Sequence, residues 1–366
     1  MDVTARLLQQ HQKEHADANF CLSPLSLQMA MAMVVNGAEG ATQSEILNAL
    51  GWKGQNLSQV NRAQNKCLQN MASDEDITVH IANSLWVNKQ SKSLKRTFRR
   101  NVREYFDAEI ARLSFNEAAT ERINSWCSEK TMGKIPTIVN QVEPAAQLYL
   151  INALYFKGAW INSFDPENTR PNAFRLTTGE EERVPMMSHQ RYYDYAETDL
   201  CQMVKMPFRN VGEQSYSLYI LLPKEDLTVS ALLDRLSGEE WQRTTAQLRS
   251  QEVHLTLPKF RLEYTTPLNQ TLRHMGIVRA FNASLADFGG ISNTPLCIDL
   301  VIQKTFFDVT ETGAEAAAVT AVAMLRSTAI KAHEVREMCV DHPFLFVLAE
   351  QKSGVVLFAG KVEDPR

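Results

Sequence analysis

"ETGAEAAAVTAVAMLRSTAIK", Glu311 to Lys331, is the stretch on which the fold turns. Alanine is the best helix former, so an alanine-rich helix is the simplest reading in isolation. The flanks argue otherwise. "IDLVIQKTFFDVTE" before it and "HPFLFVLAEQKSGVVLFAGKV" after it read as strands. As an extended segment it presents Ala314, Ala316, Ala318, Thr320, Val322 and Met324 on one face, without a charge. Glu315 opens the other face, and Gly313 supplies the backbone freedom of a hinge. Small side chains of this kind suit a segment that slides between two strands already close together.

The rest of the chain bounds the answer. At 366 residues, 44% hydrophobic and 22% charged, it is long enough and apolar enough for a sizeable core. The net charge of −4 gives no basic excess for nucleic acid. "LYLINALYF" (148–156) is too short an apolar run to span a bilayer. The polar N-terminus, with Asp2, is no signal peptide, so an intracellular site is expected unless a leader has been removed, in which case an extracellular one. Cys21, Cys67, Cys127, Cys201, Cys297 and Cys339 are scattered, which favours buried free thiols over a disulfide framework or a zinc site. No metal or cofactor is expected. No GxSxG, HExxH, P-loop or dinucleotide fingerprint appears, and Cys339 with His342 does not make a cysteine protease, so an enzyme is not expected.

No repeat or linker divides the chain, and one domain over 1–366 is expected. The first third is helical in pattern. "DVTARLLQQHQKEH" has helical spacing, and Pro24 in "SPLSLQMAMAMVVNGAEG" sits at a helix's first turn. Thr42, with Glu45 at capping-box spacing, is expected to cap "TQSEILNALG". "SLKRTFRRNVREYFDAEI" and "AATERINSWCSEKTMGKI" are further helices, and from Gln147 strands dominate. Helices first and long strands later predict an α+β fold with mostly antiparallel sheets.

Six motifs then bring a resemblance. "MCVDHPFLFVL" (338–348) followed by "GVVLFAGKVEDP" closely resembles the serpin C-terminal signature. "NFCLSPLS", "NSWCSEKTMGKI", "LINALYFKGAW", "LPKF" and "ETGAEAAAVT" resemble further serpin segments, in family order and over nearly the whole chain. The resemblance implies a large, mostly antiparallel central sheet, two smaller sheets, about eight to nine helices and an exposed reactive loop at about 311–337. It implies a suicide-substrate inhibitor of serine proteases, with cysteine proteases as further targets, acting as a monomer. A protease cuts the loop, and the freed segment inserts into the main sheet and traps the covalent acyl-enzyme.

Site residues follow from the same resemblance. The hinge is Glu311, Gly313, Ala314, Glu315, Ala316, Ala317 and Ala318. The family's usual spacing from the hinge glycine lands on Ser327, and one residue less lands on Arg326. Arg326–Ser327 is the favoured scissile bond, because a cation suits the acidic pocket of trypsin-like proteases. Leu325 and Thr328 are alternates, and elastase-like targets stay open. Asn19, Ser23, Ser26 and Asn152 match the shutter, where the central strands part; the family's common histidine is Gln303 here. Trp160, Lys259 and Glu311 match the breach, where the loop enters, and Ser163 replaces a usual proline. Lys92, Lys95, Arg96, Arg99, Arg100 and Arg103 line one side of a helix, where a solvated face is favoured over a polyanion site. The alternative to inhibition is a non-inhibitory serpin acting as a binding or chaperone module, against which the small hinge residues count.

Overall fold

The computed structural model describes residues 1–71, 76–91, 93–210, 214–314 and 335–366. Among them the chain runs α1 (Asp2–Gln12), β1 (Phe20–Leu22), α2 (Pro24–Val35), α3 (Gly40–Ala49), α4 (Leu57–Gln69) and β2 (Ile77–Asn88). Then come α5 (Arg96–Phe106), β3 (Glu109–Leu113), α6 (Glu117–Lys130), β4 (Leu148–Ala159), β5 (Arg170–Arg175) and β6 (Glu181–Glu197). β7 (Cys201–Pro207), β8 (Tyr216–Pro223), α7 (Val229–Arg235), α8 (Gly238–Thr245), β9 (Arg249–Pro258) and β10 (Phe260–Pro267) follow. The chain closes with α9 (Asn269–His274), β11 (Leu300–Thr310), β12 (Gly313–Ala314), β13 (Arg336–Cys339), β14 (Phe344–Glu350) and β15 (Val356–Val362).

The central sheet runs β10-β11-β12-β4-β2-β3, with β11 also pairing β4 directly. The two smaller sheets of the expectation are joined here. β6 is continuous over 17 residues and pairs β5, β7 and β9, so one hydrogen-bonded network of nine strands results. β4 reads "LYLINALYFKGA" without alternation because both its faces are covered. On one side Tyr149, Ile151 and Tyr155 pack with Trp126 of α6 and Ile138, Val139 and Val142 of the segment after it. On the other, α2 is mostly apolar and buried at every residue except Gln28. Ser23 caps α2 by accepting from the Ser26 amide at 3.2 Å, and Pro24 occupies its first turn.

One local expectation is corrected. α3 starts before Thr42, with Glu39 at its cap position. The Thr42 hydroxyl accepts from the Asp287 amide at 3.0 Å. The Glu45 carboxylate accepts from the Val278 and Arg279 amides at 2.9 and 2.8 Å. Both side chains satisfy a distant loop rather than their own helix end. All six cysteines are free, and four are buried.

Candidate functional site

The central sheet contains two parallel pairings, β2 with β3 at its edge and β11 with β4 at its centre, and the second is the seam of interest. β11 pairs β4 from Leu300↔Tyr149 to Phe306↔Tyr155. Beyond Phe306 the two strands part, and the short β12 lies between them. Gly313 and Ala314 pair antiparallel with Ala159 and Gly158 of β4, and with Thr310 and Val309 of β11. The approach is close enough to demand glycine. Gly313 has φ +149°, and a Cβ there would stand 2.0 Å from the Gly158 carbonyl oxygen. A Cβ on Gly158 would meet the Phe156 and Phe208 rings at 2.8 Å. Ala314 is fully buried in the same pocket.

The sequence-predicted breach residues meet here. The Trp160 indole donates to the Thr310 carbonyl at 3.0 Å, its amide donates to the Thr312 carbonyl at 3.0 Å, and its ring stacks on Phe208 at 4.2 Å. Lys259 Nζ lies 2.9 Å from Glu311 Oε2, and Thr169 Oγ1 donates to Glu311 Oε1 at 2.9 Å. The Phe164 amide holds the Glu311 carbonyl at 2.8 Å. Burial pushes the Glu311 carboxyl upward, but the bonds from Lys259, from its own amide and from Thr169 outweigh it, and its pKa lies below the ordinary value.

Of the residues expected at the shutter, Ser23, Asn152 and Gln303 join a chain of buried polar groups across the seam. Gln303 accepts from the Ser23 amide at 2.7 Å, and its Nε2 donates to the Ser23 carbonyl at 3.0 Å and to Asn152 Oδ1 at 3.1 Å. Asn152 Nδ2 donates to Asn83 Oδ1 at 2.6 Å. Gln303 and Asn152 are register partners, so their bond bridges β11 and β4. Ser26 lies buried beside Ser23, with no partner for its hydroxyl among the described residues. Asn19 is elsewhere: its Oδ1 accepts from the Glu363 and Asp364 amides at 2.6 and 2.9 Å, tying down the C-terminal segment.

Asn83 and Thr305 were missed. Asn83 stands opposite Asn152 in register, and Thr305 donates to the Cys21 carbonyl at 2.8 Å. Polar residues in otherwise apolar runs, "IANSLW" and "IQKTFF", were the available signal.

The segment between α6 and β4 lies over the seam and is fastened on both sides of it. Asn88 of β2 donates to the Pro144 and Ala146 carbonyls at 2.9 and 2.8 Å. The Glu143 amide donates to Tyr149 Oη of β4 at 3.0 Å. Lys304 of β11 donates to the Thr137 carbonyl at 2.9 Å and pairs with Glu263 at 2.9 Å.

Of the remaining expected residues, Glu315, Ala316, Ala317, Ala318, Leu325, Arg326, Ser327 and Thr328 lie outside the described residues, as does Lys92. Arg96, Arg99, Arg100 and Arg103 line one open cavity of about 530 Å³ on α5. No helix among the described residues is long and apolar enough to cross a membrane.

The family model described as serpin (serine protease inhibitor) matches residues 1–365. Serpin B6 of Pongo abelii is 33% identical over 362 residues, covering 95% of this chain and 93% of that protein. Among solved structures, the thermophilic serpin tengpin in its native state superposes with a TM-score of 0.90 at 28% identity, covering 99% of this chain and 93% of its own. Human thyroxine-binding globulin superposes with a TM-score of 0.88 at 27% identity, covering 100% and 96%. With a wedge of loop at the top of a closed central seam, a buried amide chain beneath it, and the match running the length of the sequence, this chain belongs to the serpin family.

Proposed function

We propose that the chain, as a single domain over 1–366, is an inhibitory serpin that traps serine proteases as a covalent complex. The observation that carries the reading is β12. Gly313 and Ala314 already lie between β4 and β11, antiparallel to both, while the strands beneath are paired with each other. The residues that would follow Ala314 into the gap are small or apolar on the inserting face. In this reading the protease serine attacks the Arg326 carbonyl carbon, the Arg326–Ser327 bond breaks, and Ser327 leaves as the new amino terminus. The acylated segment zips between β4 and β11 before water releases it. A trypsin-like target fits Arg326, and an elastase-like one fits cleavage beside it.

A second reading, a binding module that does not inhibit, is favoured by the likeness to thyroxine-binding globulin, whose structure is described as complexed with its ligand. One experiment separates the two. The protein is mixed with trypsin, and separately with neutrophil elastase, and run on denaturing gels with mass spectrometry of the released C-terminal peptide. An SDS-stable band at the summed mass, with a peptide starting at Ser327, supports inhibition at Arg326. Clean cleavage without a stable band, and an unchanged melting temperature, supports the binding module.

A further inference from the structure

Three neighbouring strands bring together a serine, a histidine and a carboxylate that loop insertion does not use. Ser188 of β6 is in register with Thr256 of β9, and Gln190 with His254. Glu337 of β13 stands directly opposite His254. Alternation along the strands therefore puts Ser188, His254 and Glu337 on one face of the sheet. Ser188 Oγ lies 3.0 Å from His254 Nε2, and His254 Nδ1 lies 2.9 Å from Glu337 Oε2. The carboxylate can only accept, so Nδ1 carries the proton and Nε2 presents its lone pair to the hydroxyl. That is the connectivity of an activated serine.

Ser188 and His254 open onto a cavity of about 340 Å³, which Asn168, Arg170, His189 and Gln190 also line. Gln190 spends its amide on Glu252 at 2.9 Å. Arg170 and Asn168 line the same cavity and carry N–H donors, and Arg170 Nη1 donates to the Thr169 carbonyl at 3.0 Å. No motif search finds this arrangement, because its parts lie on three strands far apart in sequence and such triads are recognised by geometry.

We propose that this face is a serine-centred acyl-transfer site for small carboxylic esters. Ser188 Oγ attacks the ester carbonyl carbon while its proton passes to His254 Nε2. The carbonyl electron pair moves onto oxygen, inside the cavity that Arg170 and Asn168 help to line. As the C=O re-forms, the bond to the alcohol oxygen breaks, and the alcohol leaves with the proton from Nε2. Water then attacks acyl-Ser188 by the same route, releasing the acid and restoring the hydroxyl. Ser188 and His254 are the catalytic residues, and Glu337 is a positioning residue. The site is open: the His254 and Glu337 side chains are 42% and 72% exposed. General-base assistance therefore falls at the low end of its range, about 100-fold. Thr256 Oγ1, 3.3 Å from the Ser188 hydroxyl, competes for its hydrogen bond.

The full chain is treated with a fluorophosphonate probe and mapped by mass spectrometry, and its acylation by p-nitrophenyl acetate is followed by stopped flow. An adduct on Ser188 is expected in the wild type. S188A should lose both the adduct and the acylation phase, and H254A should lower the acylation rate by about 100-fold, with melting curves as the folding control. E337Q should lower that rate with the KM for the ester unchanged. Mapping on the wild type needs no variant to fold. Absence of an adduct on Ser188 after exhaustive labelling, or p-nitrophenolate release by S188A at the wild-type rate, overturns the proposal.

Discussion

Lys304→Met isolates what holds the crossing segment over the seam. The Lys304 side chain is 10% exposed, and its ammonium donates to the Thr137 carbonyl and pairs with Glu263. Thr137 belongs to a segment tied to β2 and β4 through Asn88 and Tyr149, and to α6 through Asn124 and Thr120. The lysine is thus a strap from β11 to the opposite side, and β11 cannot move away from β4 without breaking it or lifting the segment. A hydrogen bond from a charged group contributes about 1.5–3 kcal/mol, a factor of roughly 10 to 150 in a local opening equilibrium. Methionine keeps the apolar stem and removes the cost of burying the charge, so global stability should change little. The freed carbonyl belongs to an exposed residue and finds water. Hydrogen exchange read by mass spectrometry should accelerate by that factor in peptides covering 131–146. Peptides from β2 and β4 should be unaffected. If the segment exchanges at the wild-type rate, the strap is not a restraint. If β2 and β4 accelerate equally, the substitution has merely loosened the whole sheet. If insertion follows the proposed route, the same variant should also raise the ratio of trapped complex to cleaved product.

Gly313→Val should expel β12, because its Cβ would overlap the Gly158 carbonyl oxygen. A loss of about 2–4 kcal/mol in urea unfolding, with a changed Trp160 fluorescence, is expected. Gln303→His should make the shutter titrate. A buried histidine has its folded pKa lowered, so its contribution is present above the unfolded value of about 6.5 and fades as pH falls below it. Relative to wild type, the variant should lose about 1 kcal/mol per pH unit of acidification below that value, read by urea unfolding as a function of pH. Glu311 has the opposite chemistry and the same sign. Its folded pKa lies below 4.5, so the Lys259–Glu311 anchor contributes above that pH and is lost as pH falls through the folded value. E311Q should therefore show a shallower acid loss of stability than wild type, and equal slopes would remove the anchor from the account.

Much of the fold was legible because its signals are local. Ser23 and Pro24 start α2 by capping and fixed φ, and the mostly apolar, non-alternating run of β4 announces a strand covered on both faces. What escaped is what depends on partners distant in sequence. Thr42 and Glu45 form a capping box by spacing, yet the Asp287, Val278 and Arg279 amides compete for them and win. Asn19 lies close in sequence to Ser23, but its amide is claimed by the C-terminal segment. Asn83 joins the buried amide chain through the antiparallel register of β2 and β4. The Ser188–His254–Glu337 face needs three strands aligned, with β13 parallel to β9, and no spacing along the chain encodes that.

The direction of the seam supplies the final step. β4 and β11 are parallel, and parallel pairing is somewhat less favourable per residue than antiparallel pairing. β12 is antiparallel to both. A strand continuing from Ala314 down the gap would replace one parallel interface with two antiparallel ones, and every backbone group it exposes on β4 or β11 would find a new partner. The only side-chain bond described across that interface at the shutter is Gln303 to Asn152, and both amides can pair again with an incoming backbone. Pairing therefore favours the inserted sheet. In the proposed mechanism it is opposed by the Lys304 strap over the seam and by the uncut connection to β13, which pairs with β9. Under the proposed mechanism, cutting the chain between Ala314 and β13 would remove the tether and leave the strap as a brake.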